Sequence, residues 1–371
     1  MTKILFLIPS LAKGGAERLV LDICNEFLKR SDFQVKLITF HSKNEYKFLT
    51  TELDYSVVHS SYSPSLKGKS IIDVKNLQEE INQFQPDIIH SHLFETEIIL
   101  SAIKYENCKY VVHFHDNMKQ FKKLKISFLK NKEALTNYYE RKLVLKSYKK
   151  KNVSFIAIAK DSFDFIKKNI PKKYTRQLVH NAINLDRFSN EISEKHLNKL
   201  LIIGSLVDKK GQDLAIEVVH DLHKRNILVS LDILGEGPNR NFLETKIKEY
   251  KLEKYIFLHG NVDYPEHFLS KAKIYIHTAI YEPFGLVLIE AMATGLPIVC
   301  TDAKGNKDII VDGVNGFIIK ERSAKKIADK IEVLINDSIL YSKISKSSFE
   351  LSKKYNIINY VDELVKIYKL K

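Results

Sequence analysis

Glu282-Pro283-Phe284-Gly285-Leu286-Val287-Leu288-Ile289-Glu290 runs on into Ala291-Met292-Ala293-Thr294-Gly295-Leu296-Pro297. Pro283 and Gly285 mark a tight loop after an apolar strand at Ile274–His277. A helix then begins near Gly285, and Gly295 and Pro297 stop it. The start of a helix carries free backbone N–H groups and the positive end of the dipole, which suit a diphosphate. Glu282 stands before that start. Glu290 lies more than a turn inside, where one carboxylate can accept both hydroxyls of a ribose. For the two acids alone, a buried helix with two incidental glutamates is the better reading, but it does not explain the whole string.

The pattern around this string is strand, loop, helix, repeated. Apolar runs at Ile4–Ile8, Val35–Phe40, Asp87–Ser91, Tyr110–Phe114 and Phe155–Ile158 read as buried parallel strands. Helical patterns lie between them at Gly15–Arg30, Ile71–Phe84 and Asp161–Ile170. The pattern restarts with strands at Leu200–Ile203, Leu228–Leu234, Tyr255–Leu258, Ile274–His277 and Ile298–Thr301. Helices at Gln212–Lys224, Asn239–Tyr250, Glu266–Lys271 and Gly285–Thr294 separate these strands. Ala324–Ile335, Ile339–Lys353 and Asn356–Lys369 follow as further helices. Such alternation argues for doubly wound α/β sheets. With 371 residues, two domains are expected. The polar stretch Phe188–Asn198 is the expected boundary. Ligands in open α/β sheets bind beyond the carboxyl ends of the strands, so the natural site is the cleft between the two.

Composition narrows the class. Apolar residues make up 44% of the chain, too many for a disordered protein. No run approaches the ~20 apolar residues of a membrane helix. Lys3 and Ile4-Leu5-Phe6-Leu7-Ile8 could open a signal peptide, but Pro9 interrupts the run and Gly14-Gly15 opens a helix, so a buried first strand fits better. A cytoplasmic chain is expected on that reading. Cys24, Cys108 and Cys300 form no CxxC pair and no disulfide framework, which fits a reducing compartment.

The net charge is +14. Between Lys119 and Lys151, eleven lysines and Arg141 face only Glu133 and Glu140, a net +10 in one segment. Phe121, Leu124, Phe128, Leu129, Leu135, Tyr138, Tyr139, Leu143 and Leu145 lie among these charges. A basic amphipathic stretch suits an anionic membrane surface. Nucleic acid is the rival, since aromatics between lysines can stack on bases. A solvated helix face is the plain alternative.

The Glu282–Glu290 string resembles the E-x7-E pattern of retaining glycosyltransferases of family 4 (glycosyl transferases group 1), which have the GT-B fold. The resemblance extends over nearly the whole chain. It takes in Gly14-Gly15-Ala16-Glu17-Arg18, Pro86-Asp87-Ile88-Ile89-His90-Ser91-His92, Val111-Val112-His113-Phe114-His115-Asp116 and His180–Phe188. In the second half it takes in Gly204–Gly211, Gly235-Glu236-Gly237-Pro238 and Asp312–Gly316. Each short glycine motif is weak, but their order together with the E-x7-E string is specific.

The resemblance implies two Rossmann-like domains facing across a cleft. Residues 1–190, with a returning C-terminal helix at about 355–371, would form the acceptor domain. Residues 191–354 would form the nucleotide-sugar donor domain. His115 and Glu282 are the implied catalytic residues, with Glu282 on the sugar hydroxyls. Gly15, Ser205, Lys210, Gly235, Phe284, Gly285, Leu286, Val287 and Glu290 are implied to bind the donor. Arg18, Lys122, Lys123 and Lys125 are assigned to the acceptor or the membrane.

Some positions stay open on the residues alone. Gly14-Gly15 also fits a plain tight turn, and His115 also fits a structural histidine at a strand end. Arg18 is expected to face solvent or an acidic partner. His90, His92 and His113 could resemble a metal cluster, but strand alternation is expected not to aim all of them at one point. No Asp-x-Asp occurs in the chain, and the GT-B resemblance implies neither metal nor cofactor.

Two departures stand out. Ser205 stands where many family members have an arginine for the diphosphate, with Lys209 a possible substitute. Ala279 stands where many have a serine. The Gly235–Pro238 loop and His259-Gly260-Asn261-Val262 would border the base.

The expected activity is transfer of a sugar, with retained configuration, from a nucleotide-diphosphate donor. A UDP-sugar is favoured and a GDP-sugar is possible. The expected acceptor is a growing, lipid-linked bacterial surface glycan such as capsule, O-antigen or exopolysaccharide, reached at the inner face of the plasma membrane. Closing of the two domains would exclude water. The rival readings are a nucleotide-sugar epimerase or a phosphorylase of the same fold, and a nucleic-acid-binding α/β protein. No context matches the pyridoxal phosphate lysine that a phosphorylase needs. The basic segment lies away from both glycine loops, which disfavours nucleic acid.

Overall fold

The structure, a computed structural model, describes residues 1–65, 70–123, 131–188 and 198–369. Contacts divide it into two compact units. Unit 1 comprises Met1–Asn181 and Ile357–Lys371, and unit 2 comprises Ala182–Asn356. The division falls after Asn181, ahead of the 190/191 boundary read from the sequence, because the bridge Ile183–Asn356 ties 183 into unit 2. Most of the Phe188–Asn198 stretch lies outside the described residues.

Unit 1 begins with β1 (Thr2–Ile8), α1 (Gly15–Leu28), β2 (Phe33–Thr39), β3 (Asp54–Val57), β4 (Ser61–Ser63) and β5 (Ile71–Asp73). It continues with α2 (Lys75–Phe84), β6 (Ile88–His92), α3 (Phe94–Leu100), β7 (Lys109–Phe114) and α4 (Lys132–Ser147). β8 (Asn152–Ala157), α5 (Lys160–Asn169) and β9 (Thr175–Leu178) follow. The main sheet is parallel, in the order β3-β2-β1-β6-β7-β8-β9. Its central strands are buried on both faces, which is why Ile4–Ile8 and Lys109–Phe114 are almost unbroken apolar runs.

Unit 2 begins with β10 (Lys199–Ile203), α6 (Gln212–Lys224), β11 (Ser230–Leu234), α7 (Arg240–Glu249) and β12 (Ile256–Gly260). Next come α8 (Glu266–Lys271), β13 (Ile274–His277), α9 (Leu286–Ala293), β14 (Ile298–Thr301) and α10 (Asn306–Ile309). β15 (Gly316–Ile319), α11 (Ala324–Asn336) and α12 (Ser338–Ser352) complete it. The parallel order is β12-β11-β10-β13-β14-β15.

The chain then re-enters unit 1 as α13 (Ile357–Lys369). This helix buries Ile357, Tyr360, Val361, Leu364 and Ile367 at three- and four-residue spacing. Arg30, two residues past α1, donates from Nη1 to Asp362 Oδ1 at 2.8 Å. Lys109 Nζ donates to the carbonyl of Ile367 at 2.6 Å, a buried cap for the last turn.

Both units have the doubly wound parallel sheets expected from the alternation. One helix starts later than read. Ile71–Asp73 pairs as a strand with Ser61–Ser63, and the helix begins only at Lys75, whose N–H donates to Asp73 Oδ1 at 3.3 Å. The short edge strands β3, β9 and β15 and the helices α3 and α4 were not read from the sequence.

Candidate active site

In unit 2 the strand order reverses between β10 and β13, so the loops that follow these two strands sit side by side. They are laced together. Ile280 N–H donates to the carbonyl of Lys209 at 2.8 Å, and Thr278 Oγ1 donates to that of Gly211 at 2.7 Å. Arg322 Nη1 donates to the Thr278 carbonyl at 2.6 Å. Gly211 has φ +62°, and a Cβ there would sit 2.4 Å from the Thr278 carbonyl oxygen, so only glycine fits.

This lacing delivers Lys210 to Glu282. Lys210 Nζ donates to Glu282 Oε2 at 2.5 Å. His277, the last residue of β13, places Nε2 3.3 Å from the same oxygen. Glu282 is buried and His277 more so. Burial alone would raise the Glu282 carboxyl, but the neighbouring His277 and Lys210 outweigh it and hold it at about 2. Glu282 is thus an ionised carboxylate that accepts from Lys210, with the His277 ring beside it but outside hydrogen-bond geometry.

The backbone around Glu282 is fixed as well. Its N–H donates to the Ala303 carbonyl at 3.0 Å, and its own carbonyl accepts from Gly305 N–H at 3.0 Å. A Cβ on Gly305 would meet the Pro283 oxygen at 2.3 Å. Gly285, left-handed at φ +87°, caps α9. Leu286 and Val287 are half-buried at the helix start, with N–H groups of the first turn available to an anion. The Phe284 side chain is buried, with its ring 6.0 Å from that of Tyr355.

Glu290 is buried one turn on in α9. Arg187 Nη1 lies 4.0 Å from Glu290 Oε1, while Nη2 donates to Glu266 Oε2 at 3.1 Å. On the other side, Gly204 and Gly235 approach so closely that a Cβ on Gly235 would sit 2.2 Å from the Gly204 oxygen. Gly235 N–H donates to the Gly260 carbonyl at 2.7 Å, which joins the two loops assigned to the base. Ser205 and Lys209 are exposed.

In unit 1, Gly15 is exposed at the start of α1, and Tyr46 Oη accepts from Gly14 N–H at 3.1 Å. Arg18 does not project as a free cation. Its Nε donates to Asp22 Oδ1 at 3.0 Å, one turn along the same helix. Lys122 and Lys123 are exposed, whereas Lys125 lies outside the described residues. Of the basic segment, Phe121, Val144 and Tyr148 are buried and Leu143 and Leu145 pack on the same core, so the fold uses much of its apolar face. Lys132, Lys142, Lys146, Lys149 and Lys150 stay exposed.

The histidines correct the expectation drawn from alternation. Residues two apart on a strand share a face, so His90 and His92 of β6 point together, as do His113 and His115 along β7. The register pairs His92 with His113. All four imidazoles are buried and gathered into one stack, with neighbouring ring centroids 4.5–5.3 Å apart. Burial pushes His90 and His115 down to about 3, and drives His92 and His113 well below their ordinary value. All four are therefore neutral at physiological pH. His92 Nδ1 lies 2.8 Å from His115 Nε2.

Two family models match this chain. The Glycosyltransferase Family 4 model covers 13–187, and the Glycosyl transferases group 1 model covers 183–351. The chain belongs to this glycosyltransferase family.

Among curated relatives, the glycosyltransferase is similar to the poly(glycerol-phosphate) alpha-glucosyltransferase of Bacillus subtilis (strain 168). The two are 32% identical over 174 residues, which is 47% of this chain and 26% of that protein. It is also similar to the poly(ribitol-phosphate) alpha-N-acetylglucosaminyltransferase of Staphylococcus aureus (strain COL). That pair is 32% identical over 196 residues, 51% of this chain and 40% of that one. The chain thus spans well under half the length of both relatives.

In structure the glycosyltransferase resembles Anabaena HepE in complex with UDP and glucose, with a TM-score of 0.77, 18% identity and 100% of each chain covered. It also resembles TarM, with a TM-score of 0.78, 17% identity, and 100% of this chain and 99% of that one covered. These likenesses establish the GT-B type of fold.

His277 and Arg187 were missed as site residues. His277 stands at the carboxyl end of a parallel strand beside the topological switch, and that position was the available signal. Arg187 belongs to a segment that was noticed but given no role.

Proposed function

We propose that this glycosyltransferase moves a sugar, with retention of configuration, from a nucleotide-diphosphate donor to a hydroxyl of a growing bacterial surface glycan. A UDP-sugar is the favoured donor and a GDP-sugar the next. The observation that carries the reading is the Lys210–Glu282–His277 group at the start of α9. It sets a fixed carboxylate for sugar hydroxyls beside a helix N-terminus and a lysine for phosphate. HepE is described with UDP-glucose, and a TarM variant with UDP and alpha-GlcNAc-glycerol, which supports a donor of this class.

On this reading the first N–H groups of α9 and Lys210 stabilise the departing diphosphate. Glu290 and Arg187 flank the ribose. Gly15 and His115 keep the donor-contacting roles that the resemblance gives them. The bond from the anomeric carbon to the phosphate oxygen breaks, and a bond to the acceptor oxygen forms on the same face. The acceptor's proton passes to the leaving phosphate oxygen, so the transfer itself calls on no metal or cofactor.

Among the described residues no helix is long and apolar enough to cross a membrane. The exposed lysines of α4 and its flanks support a cytoplasmic enzyme held to an anionic inner leaflet, reaching a lipid-linked acceptor. Nucleic acid is not a partner on this reading.

The test is a panel of UDP-, GDP- and ADP-sugars, with and without bacterial membrane extract. Nucleotide release that depends on the extract, with labelled sugar in the lipid fraction, supports the reading. No release from any donor in the presence of acceptor lipid overturns it.

A further inference from the structure

The donor site leaves the histidine stack of unit 1 largely unused. His90, His92 and His113 offer one ring nitrogen each within 4.8 Å of the others. Their other nitrogens are already engaged. His90 Nδ1 lies 2.7 Å from Tyr368 Oη, His113 Nε2 lies 3.3 Å from Tyr360 Oη, and His92 Nδ1 lies 2.8 Å from His115 Nε2. This is the outer-shell arrangement of metal-bound histidines, in which the far nitrogen is tied and so the ring is aimed.

The inner nitrogens match the same picture. His90 Nε2 and His113 Nδ1 stand 3.2 Å apart. Two nitrogens each ~2.0–2.1 Å from one tetrahedral zinc ion lie about 3.3 Å from each other. His92 Nε2 is fully buried and has no hydrogen-bond partner. An orphaned imidazole nitrogen in a dry interior is costly unless something binds it. The Phe6 ring, 5.2 Å from that of His90, seals one side.

We propose that His90, His92 and His113 bind one divalent ion of the zinc class, which clips β6 to β7. Three neutral imidazoles are a borderline donor set that suits Zn²⁺, Co²⁺, Ni²⁺ or Cu²⁺ over Mg²⁺ or Ca²⁺. The 3.2 Å contact of His90 Nε2 with His113 Nδ1 places one proton between them when no ion is bound, and the ion displaces it to a far ring nitrogen. Where His90 Nε2 carries a proton, that proton moves to Nδ1, and Tyr368 Oη accepts it. Three uncharged ligands leave a fourth position for hydroxide or water. Tyr360 and Tyr368 belong to α13, so the ion also fastens that helix through the ligands it orients.

The experiment uses the whole chain, stripped with chelator and dialysed against Zn²⁺ or Co²⁺. The readouts are metal content and visible Co²⁺ absorption, and neither depends on a transfer assay. One equivalent per chain, an intense low-coordinate Co²⁺ band and a rise in melting temperature with Zn²⁺ are expected. His92→Asn and His113→Gln should each lose the bound equivalent. Tyr368→Phe should keep it with affinity weakened roughly tenfold. Wild-type protein that retains no ion after dialysis overturns the proposal, as does a pale octahedral Co²⁺ spectrum. So does folded His92→Asn with undiminished stoichiometry, which would assign the ion to surface histidines. If the variants do not fold, the wild-type spectrum and stoichiometry decide alone.

Discussion

Lys210 and Glu282, 72 residues apart in the chain, meet as an ion pair inside unit 2, with their side chains only 18% and 8% exposed. The proposed donor brings a diphosphate that competes for the same ammonium. The three N–H donors of Lys210 can be shared between Glu282 and a phosphate, so a bound diphosphate weakens the pair, and His277 Nε2 lies 3.3 Å from the same carboxylate.

Glu282→Gln therefore separates binding from chemistry. It frees Lys210 for phosphate, so affinity for a nucleoside diphosphate should hold or rise a few-fold. Transfer should fall by two orders of magnitude or more, the usual cost of losing a fixed electrostatic contact in the transition state. Steady-state kinetics beside calorimetric titration of UDP and GDP would check this, and unchanged kcat would remove Glu282 from the mechanism.

Glu282 also predicts an acid limb in stability. Its folded value, about 2, lies below the ordinary 4.5, so its stabilisation is complete above pH 4.5 and disappears as pH falls towards 2. The shift corresponds to ~3 kcal/mol in all, with about 2 of it gone by pH 3. Urea unfolding between pH 6 and 3 should show wild type losing this increment and Glu282→Gln not.

Gly305→Ala should damage the site from behind. Its Cβ would press on the Pro283 and Glu282 carbonyl oxygens, at 2.3 and 2.6 Å, and force the loop out. A loss of ~1–3 kcal/mol and of nucleotide-induced thermal stabilisation is expected. Gly313→Ala is the control. It has φ +75° and open space, so its cost of about 1 kcal/mol should leave nucleotide binding intact.

Ser205→Arg should add the missing phosphate contact. Ser205 is exposed beside the Gly204 backbone, so solvent will screen the new charge. Nucleoside diphosphate should bind about three- to tenfold tighter at low salt, with the gain shrinking at high salt. No change at low salt would place the diphosphate away from the loop after β10.

Leu364→Ala tests α13. Leu364 is fully buried, and its truncation should cost ~2–5 kcal/mol. Hydrogen exchange should show the loss in unit 1 amides while β10–β15 remain protected.

The central strands were legible because both of their faces are buried, which turns Ile4–Ile8 or Ile274–His277 into solid apolar runs. β3 and β9 are edge strands whose mixed composition carries no such signal, and β15 offers only the three apolar residues Phe317–Ile319 after a glycine. β5 hid inside an apparent helix because Ile71, Val74 and Leu77 repeat at helical spacing. The Glu282–Glu290 string was legible because one local segment holds the loop, the cap and both acids. Arg187 was not, since it meets Glu266 and Glu290 only through the packing of other elements, and His277 was passed over because the alternation read it as one more buried strand residue. The histidine stack depends on the register between β6 and β7, which no single strand reveals.

The placement of α13 bears on how the chain can be made. Unit 2 is continuous from 182 to 356, whereas residues 1–181 lack a helix that is translated after all of it. On a ribosome, unit 2 can finish folding while unit 1 still exposes the apolar groove for Tyr360, Leu364 and Ile367. Until α13 emerges, that groove is exposed apolar surface, the kind that makes a partly made chain prone to aggregate.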